Sequence, residues 1–331
     1  MKSSPLIDPF GRHIDYVRIS VTDRCDFRCT YCMDEDVTFL PRKDILSLEE
    51  IVTIAQHFIA LGSKRIRITG GEPLVRKNIL WALEKIAATD GLEELTITTN
   101  GSQLHKMAGD LYNAGVARIN VSLDTLKPAQ FARLTRRDQF HQVIAGIQSA
   151  SQYPFKRIKL NSVILRHQND DEIEALADFA LNHGLDISYI EEMPLGVITD
   201  HDRAAAYMSS DEIINRLESH YTLQKSTTKT GGPTTYFDVA GFDNKIGVIS
   251  PHSHNFCASC NRIRLTAEGR LLLCLGNEHS MDLKPYIRHS QQADMTLDQA
   301  IISALALKPE KHHFDLTEAP QILRFMSATG G

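Results

Sequence analysis

YVRISVTDRCDFRCTYCM, residues 16–33, runs a strand pattern directly into a cysteine loop. Apolar residues alternate through DYVRIS (15–20), the period of two that a β-strand imposes. The turn that follows carries Cys25, Cys29 and Cys32 in a C-x3-C-x2-C spacing. Five further strand patterns lie at 65–69 (RIRIT), 94–98 (ELTIT), 117–122 (ARINVS), 157–164 (RIKLNSVI) and 185–191 (LDISYIE). Segments with helical period fall at 47–61, 75–89, 103–114, 140–151, 170–182 and 210–219. Ser47 followed by Glu50 forms a capping box at the first of them. Strand–helix alternation on this scale implies parallel βαβ units. The predicted fold is α/β, an incomplete (β/α)6 TIM-like barrel, with an open doubly wound sheet as the rival.

From about residue 220 the texture changes. Short strand patterns at 221–227, 234–239, 245–250, 262–266 and 270–274 precede a helix near 295–306. This predicts a C-terminal mixed α+β extension, dividing the chain into 1–220 and 221–331. TKTGGPTT (228–235) reads as a short polar loop. The 331 residues are 42% hydrophobic and 23% charged, ordinary values for a chain that buries a full core. Lys plus Arg number 36 against 41 Asp plus Glu, a net charge of -5, which argues against nucleic-acid binding driven by bulk charge. No apolar run approaches the ~20 residues of a membrane span. The start, MKSSPLIDPFGRHIDYVRIS, lacks a signal pattern, so a cytoplasmic location is expected.

The six cysteines form two groups of three. Odd groups suit a disulfide framework poorly, and a chain of this size needs no staples. Structural zinc ordinarily takes four ligands. Three thiolates on one short loop suit three corners of a cubane iron–sulfur cluster, with the fourth iron open. The second group, Cys257, Cys260 and Cys274, has a C-x2-C-x13-C spacing. Spacing leaves two readings open there: a second cluster, or zinc with His252 or His254 as fourth ligand.

The chemistry-bearing residues follow the strands. GGEP (Gly70–Pro73) follows the second strand and TTNG (Thr98–Gly101) the third; Ser122 and Asp124 end the fourth, and Met193 lies past the sixth. In parallel α/β folds that rim carries the active site. Arg18 and Arg67 sit inside strand patterns, Lys159 alternates with Ile158 and Leu160, and Arg262 and Arg264 share a face. An acidic chain can thus hold a basic pocket for a small anion. GGEP lacks the G-x4-G-K-[ST] pattern of a P-loop.

The first cysteine loop with GGEP about forty residues on resembles the radical S-adenosylmethionine (SAM) enzymes. TTNG, INVSLD, RIKLNSV, EEMPLG, CASCNRIRLT and the terminal Gly-Gly then occur in the order seen in the GTP 3′,8-cyclases of molybdenum cofactor biosynthesis. The likeness runs from about residue 5 to 331. It implies two [4Fe–4S] clusters, one on Cys25, Cys29 and Cys32 and one on Cys257, Cys260 and Cys274. It implies SAM contacts from Tyr31, Gly71, Ser122 and Met193, with Gly71 admitting the cofactor closely. It implies GTP contacts from Arg18, Arg67, Thr98, Lys159, Arg262, Ile263 and Arg264, and a Gly330-Gly331 tail reaching the active site. The implied reaction removes hydrogen from ribose C3′ by a 5′-deoxyadenosyl radical and joins C3′ to guanine C8, giving 3′,8-cyclo-7,8-dihydro-GTP. The implied partners are an external electron donor, a downstream pterin synthase and a second copy in a homodimer.

Two positions and one segment depart from the family pattern: MDEDVTFLPRKDILS (33–47) is acidic and lacks the proline usual just after the first motif. Ser188 stands where an arginine is usual and Glu192 where an apolar residue is usual, with Arg157 or Arg203 as candidates to compensate. Two rival readings are a radical SAM peptide modifier with an auxiliary cluster and a zinc-stabilised nucleotide-binding protein without catalysis.

Overall fold

The alternation read from the sequence becomes six parallel strands in sequential order: β1 (Tyr16–Ser20), β2 (Arg65–Thr69), β3 (Glu94–Thr99), β4 (Arg118–Ser122), β5 (Arg157–Ile164) and β6 (Asp186–Glu191). The computed structural model describes residues 6–330 apart from 197, 199, 200, 313, 317–321 and 323. Gly331 therefore lies outside the described residues. Helices α1 (Leu48–Ala60), α2 (Ile79–Ala87), α3 (Leu104–Asn113), α4 (Pro128–Thr135), α5 (Phe140–Ala150) and α6 (Ile173–Asn182) connect the strands.

Each strand sends one set of side chains toward the helices. Val17, Ile19, Ile66, Ile68, Leu95, Ile97, Ile119, Val121, Leu160 and Ile187 are buried there with the apolar faces of the helices. The other set points inward and is largely polar, from Arg18 and Arg67 to Thr98, Asn120, Lys159 and Asn161. Parallel sheets covered on both faces usually read as continuous apolar runs. Here the period of two survives because the inner face lines a polar chamber.

Caps fix where the helices begin. Ser47 Oγ accepts from Glu50 N at 3.1 Å and Glu50 Oε2 from Ser47 N at 2.7 Å, the expected capping box. The helix expected over 75–89 starts late. Pro73–Val75 forms a separate 3-10 turn, and Asn78 takes a left-handed φ of 61°, which no helix interior admits.

The chain after residue 220 extends the same sheet at both edges. Strand β7 (Leu223–Lys225) pairs with β8 (Thr235–Val239), β8 with β9 (Lys245–Ile249), and β9 lies parallel to β6. On the far side β10 (Arg262–Leu265) lies parallel to β1, followed by β11 (Arg270–Leu272) and β12 (Ser280–Asp282). The resulting order is β12-β11-β10-β1-β2-β3-β4-β5-β6-β9-β8-β7, a sheet that curls without closing. Cys25, Cys29 and Cys32 follow the C-terminal end of β1, whereas Cys260 precedes β10 and Cys274 follows β11, so the second cysteine group lies at the opposite end of these strands.

A candidate active site between two cysteine triads

The first triad sits on the loop after β1, and two neighbouring turns hold it. Arg28 N donates to Thr135 O and Thr30 N to Leu134 O, both at 2.9 Å, seating the loop on the end of α4. Asp26 accepts from Asn100 Nδ2 at 2.7 Å and Ser102 Oγ at 2.6 Å, tying the loop to the TTNG turn. Glu72, wholly buried, accepts from Leu74 N at 2.9 Å, Thr99 Oγ1 at 2.8 Å and Asn100 N at 2.6 Å. Burial pushes its carboxyl up to about 8 despite those donors. Tyr31 donates its hydroxyl to Asp124 Oδ2 at 2.6 Å, and Asp124 Oδ1 accepts from Val163 N at 2.8 Å, joining the loop to β4 and β5.

Gly71 has a reason of its own to be glycine. A Cβ there would lie 2.6 Å from the backbone carbon of Arg24 and 2.7 Å from Asp23 O. The close approach that forbids a side chain is therefore between GGEP and the cysteine loop itself, before any ligand is considered.

All six cysteines are free thiols. Burial raises Cys25, Cys29 and Cys32, with Cys32 reaching about 12; Glu72 adds to the rise at Cys25, and its fellow cysteines at Cys29. Burial therefore favours the thiol form across this triad. A cationic metal group would convert it to thiolates and release protons, so the donor set fits one.

The second triad has the opposite electrostatics. Cys257 opens a 3-10 turn, Cys260 follows it, and Cys274 lies just past β11. Burial works against the Cys260 thiolate, but Arg262 and Lys308 outweigh it and bring the thiol down to about 7. The histidines considered as zinc ligands are engaged elsewhere: His252 Nε2 with Glu192 O and His254 Nε2 with Asp211 Oδ1, each at 2.8 Å. Among the described residues no three His, Cys, Asp or Glu side chains are grouped to hold a single metal ion. A cubane makes a different demand, because each thiolate takes its own iron.

Between the triads lies one cavity. Its lining includes all six cysteines, together with Tyr31, Gly71, Ser122 and Met193 and with Arg18, Arg67, Thr98, Lys159, Arg262, Ile263 and Arg264. Strand register explains the cations. Arg18 is level with Arg264 on β10 and with Arg67 on β2, so three guanidinium-bearing residues occupy one row at strand spacing. Burial first, then Arg264 and Arg67, holds Arg18 well below its ordinary value. Burial, then Arg262 and Arg67, brings Arg264 down to about 10. Lys159 is lowered by burial and, among the described residues, donates to Thr234 Oγ1 at 3.3 Å and Tyr236 Oη at 3.4 Å. Among the described residues Arg18 Nε, Arg67 Nε and Thr98 Oγ1 are buried with no hydrogen-bond partner. Such groups are costly to leave unpaired, and a polyanion would satisfy them. Ile263 differs from its neighbours. Its side chain joins the core level with Val17, which leaves its backbone to the cavity.

The C-terminal tail reaches this row. Arg264 Nη1 donates to Gly330 O, and a Cβ on Gly330 would lie 2.9 Å from Thr69 Cβ.

Glu192 has a local explanation, and nothing in the structure explains Ser188. Glu192 is buried and binds His201 Nε2 at 2.7 Å and Arg203 Nε at 3.3 Å. Arg203 also donates to Leu195 O and to Gly196 O, so it is committed. Arg157 pairs with Asp186. Neither arginine lines the cavity, and neither replaces the missing cation at Ser188. Ser188 itself is fully buried opposite Gly247, its hydroxyl without a partner.

Sequence reading missed several cavity residues. Asn161 Oδ1 is buried, lines the cavity and has no partner; the alternation of Lys159, Asn161 and Val163 carried that signal. Thr230, Gly232, Pro233 and Thr234, from the stretch read as a polar loop, also line it.

Residues 19–180 match the radical SAM superfamily and residues 185–314 match Molybdenum Cofactor Synthesis C. The chain is 55% identical over 331 residues to a GTP 3′,8-cyclase of Ectopseudomonas mendocina (strain ymp), covering all of both chains. It is 55% identical over 334 residues, again covering all of both, to a GTP 3′,8-cyclase of Pseudomonas entomophila (strain L48). Among solved structures it resembles Streptococcus suis SuiB at a TM-score of 0.61, with 16% identity over 99% of this chain and 78% of that one, a likeness of fold.

Proposed function

Because the chain belongs to the GTP 3′,8-cyclases of the radical SAM superfamily, we propose that it converts GTP into 3′,8-cyclo-7,8-dihydro-GTP, the first step of molybdenum cofactor biosynthesis. In this reading Cys25, Cys29 and Cys32 hold a [4Fe–4S] cluster that receives SAM, and Cys257, Cys260 and Cys274 hold a second that faces the guanine. When bound, SAM and the first cluster supply the radical chemistry that removes hydrogen from ribose C3′ and permits closure onto guanine C8.

The protein's work is positioning and exclusion. Tyr31, held by Asp124, frames SAM with Ser122, Met193 and the GGEP backbone. Arg18, Arg67, Arg264 and Lys159 take the triphosphate, where guanidinium forks match phosphate oxygens. Thr98 Oγ1 offers a hydroxyl to the same ligand. Arg262 bridges the two sites, since its Nη2 lies 3.8 Å from Cys260 Sγ while its strand neighbour Arg264 joins the cation row. Gly330, held by Arg264, brings the C-terminal tail to the cation row without adding bulk.

The observation that carries this reading is the row of buried cations with no carboxylate partner among the described residues, lining the cavity that both triads share. The reading also includes a low-potential external electron donor, a pterin synthase that receives the product, a homodimer and a cytoplasmic setting. No helix among the described residues is long and apolar enough to cross a membrane. The test is anaerobic incubation with GTP, SAM and a strong reductant. Production of 5′-deoxyadenosine together with the cyclised nucleotide is expected. Nucleotide recovered unchanged while SAM is cleaved would reject the substrate assignment.

A further inference from the structure

Lys308 is nearly fully buried, at 3% exposure, just beyond the Leu297–Leu305 helix. An ammonium has three protons to donate. Its Nζ meets three acceptors: Leu273 O at 2.5 Å, Arg262 O at 3.0 Å and Cys260 Sγ at 3.7 Å. None is a carboxylate. The carbonyls belong to the residue before Cys274 and to the residue two after Cys260, so one side chain spans the strands that carry two of the three thiols.

The same segment braces the third thiol from outside. Arg12 Nη1 donates to Cys257 O at 2.8 Å and to Glu310 O at 2.7 Å, and its Nη2 to Pro309 O at 2.7 Å. Asp8 fixes Arg12 through Nε at 2.5 Å. The 308–310 segment thus connects to all three cysteines of the second triad. Burying an ammonium without a carboxylate is expensive. A thiolate-bound cluster beside it offsets that cost, and Cys260 is the only sulfur the ammonium reaches among the described residues.

We propose that Lys308 is a positioning residue for the second cluster, which holds the Cys260 and Cys274 strands in register and raises the cluster's reduction potential through its charge. The inference rests on the two-cluster reading above. Reduction adds negative charge to a cluster, and a fixed cation at a ligating sulfur favours the reduced form. Among the described residues no cation donates to a sulfur of the first triad: Arg28 Nη1 reaches the Cys25 carbonyl at 2.6 Å, and the charged side chains that raise its thiols are Asp26, Glu72 and Asp124. The two centres are therefore set at different potentials by their surroundings.

The test is an EPR-monitored redox titration of full-length, anaerobically reconstituted protein, with iron and sulfide counted per chain. The second centre's signal is assigned from a Cys25→Ser, Cys29→Ser, Cys32→Ser variant that retains only that cluster. Lys308→Met keeps the length and removes the charge. It is expected to move the second centre's midpoint to more negative potential and to speed its loss to an iron chelator, while the first centre's midpoint stays put. Lys308→Arg is expected to return the midpoint toward wild type. If Lys308→Met fails to fold, Lys308→Gln, which retains donors for the two carbonyls, makes the same comparison. About eight irons per chain with an unmoved second midpoint in the charge-free variant would overturn this proposal alone. About four irons in the wild type would overturn it together with the two-cluster reading.

Discussion

Arg264→Met tests the cation row, because it should move stability and binding in opposite directions. In the empty protein burial, then Arg262 and Arg67, brings the Arg264 guanidinium from 12.5 down to about 10. A drop of that size is about 3 kcal/mol of penalty on the charged form. The penalty is fully present below the folded value and is relieved only as pH rises through it, so at neutral pH it is undiminished. Removing the charge releases the penalty but also deletes the hydrogen bond to Gly330 O, worth about 1.5–3 kcal/mol. The net change is a gain of roughly 1 kcal/mol, or a rise of about one or two degrees in the melting temperature of the ligand-free protein. Binding should move the other way. One charge-assisted contact to phosphate lost at about 1.5–3 kcal/mol weakens GTP by about 10- to 150-fold. SAM affinity should hold, because Arg264 hydrogen-bonds to Gly330 O and not to Tyr31, Gly71, Ser122 or Met193. Anaerobic calorimetry with each ligand and a thermal melt without ligand measure all three. GTP affinity within threefold of wild type, or a melting temperature lowered by several degrees, would refute the reasoning.

Other substitutions probe the remaining parts. Cys25→Ala should lose about four irons and all 5′-deoxyadenosine production while the second cluster's irons stay; normal SAM cleavage would remove Cys25 from the first site. Gly71→Ala places a Cβ 2.6 Å from the Arg24 carbonyl carbon and against its oxygen, so the cysteine loop should shift and lose iron to a chelator faster than wild type. Arg203→Ala strands Glu192 with only His201, so the fold should lose about 3–5 kcal/mol by denaturant titration, while GTP affinity per folded molecule stays unchanged.

The central strands were legible because their chemistry is local. RIRIT and RIKLNSVI became β2 and β5 with the boundaries read from alternation alone. Three kinds of feature were not legible. Helix α4 is short, begins at a proline and has little net hydrophobicity, so it gives no strong periodic signal. The pairing of β10 with β1 and of β9 with β6 joins segments far apart in sequence, and no strand pattern states its neighbour. That pairing places Arg264 level with Arg18, a neighbourhood neither strand pattern states. The braces are equally non-local. Arg12 reaches Cys257 across 245 residues, and Lys308 reaches Cys260 across 48. Glu192, an anomaly in sequence, is an ordinary buried carboxylate once His201 and Arg203 are seen beside it.

The most direct measurement is EPR of the anaerobically reconstituted protein before and after adding SAM alone and GTP alone. If two incompletely ligated cubanes face each other across one cavity, each ligand alters the signal of a different centre, and the centre lost in Cys25→Ala is the one that answers to SAM. Both ligands perturbing a single centre, or zinc in place of iron at Cys257, Cys260 and Cys274, would contradict the account.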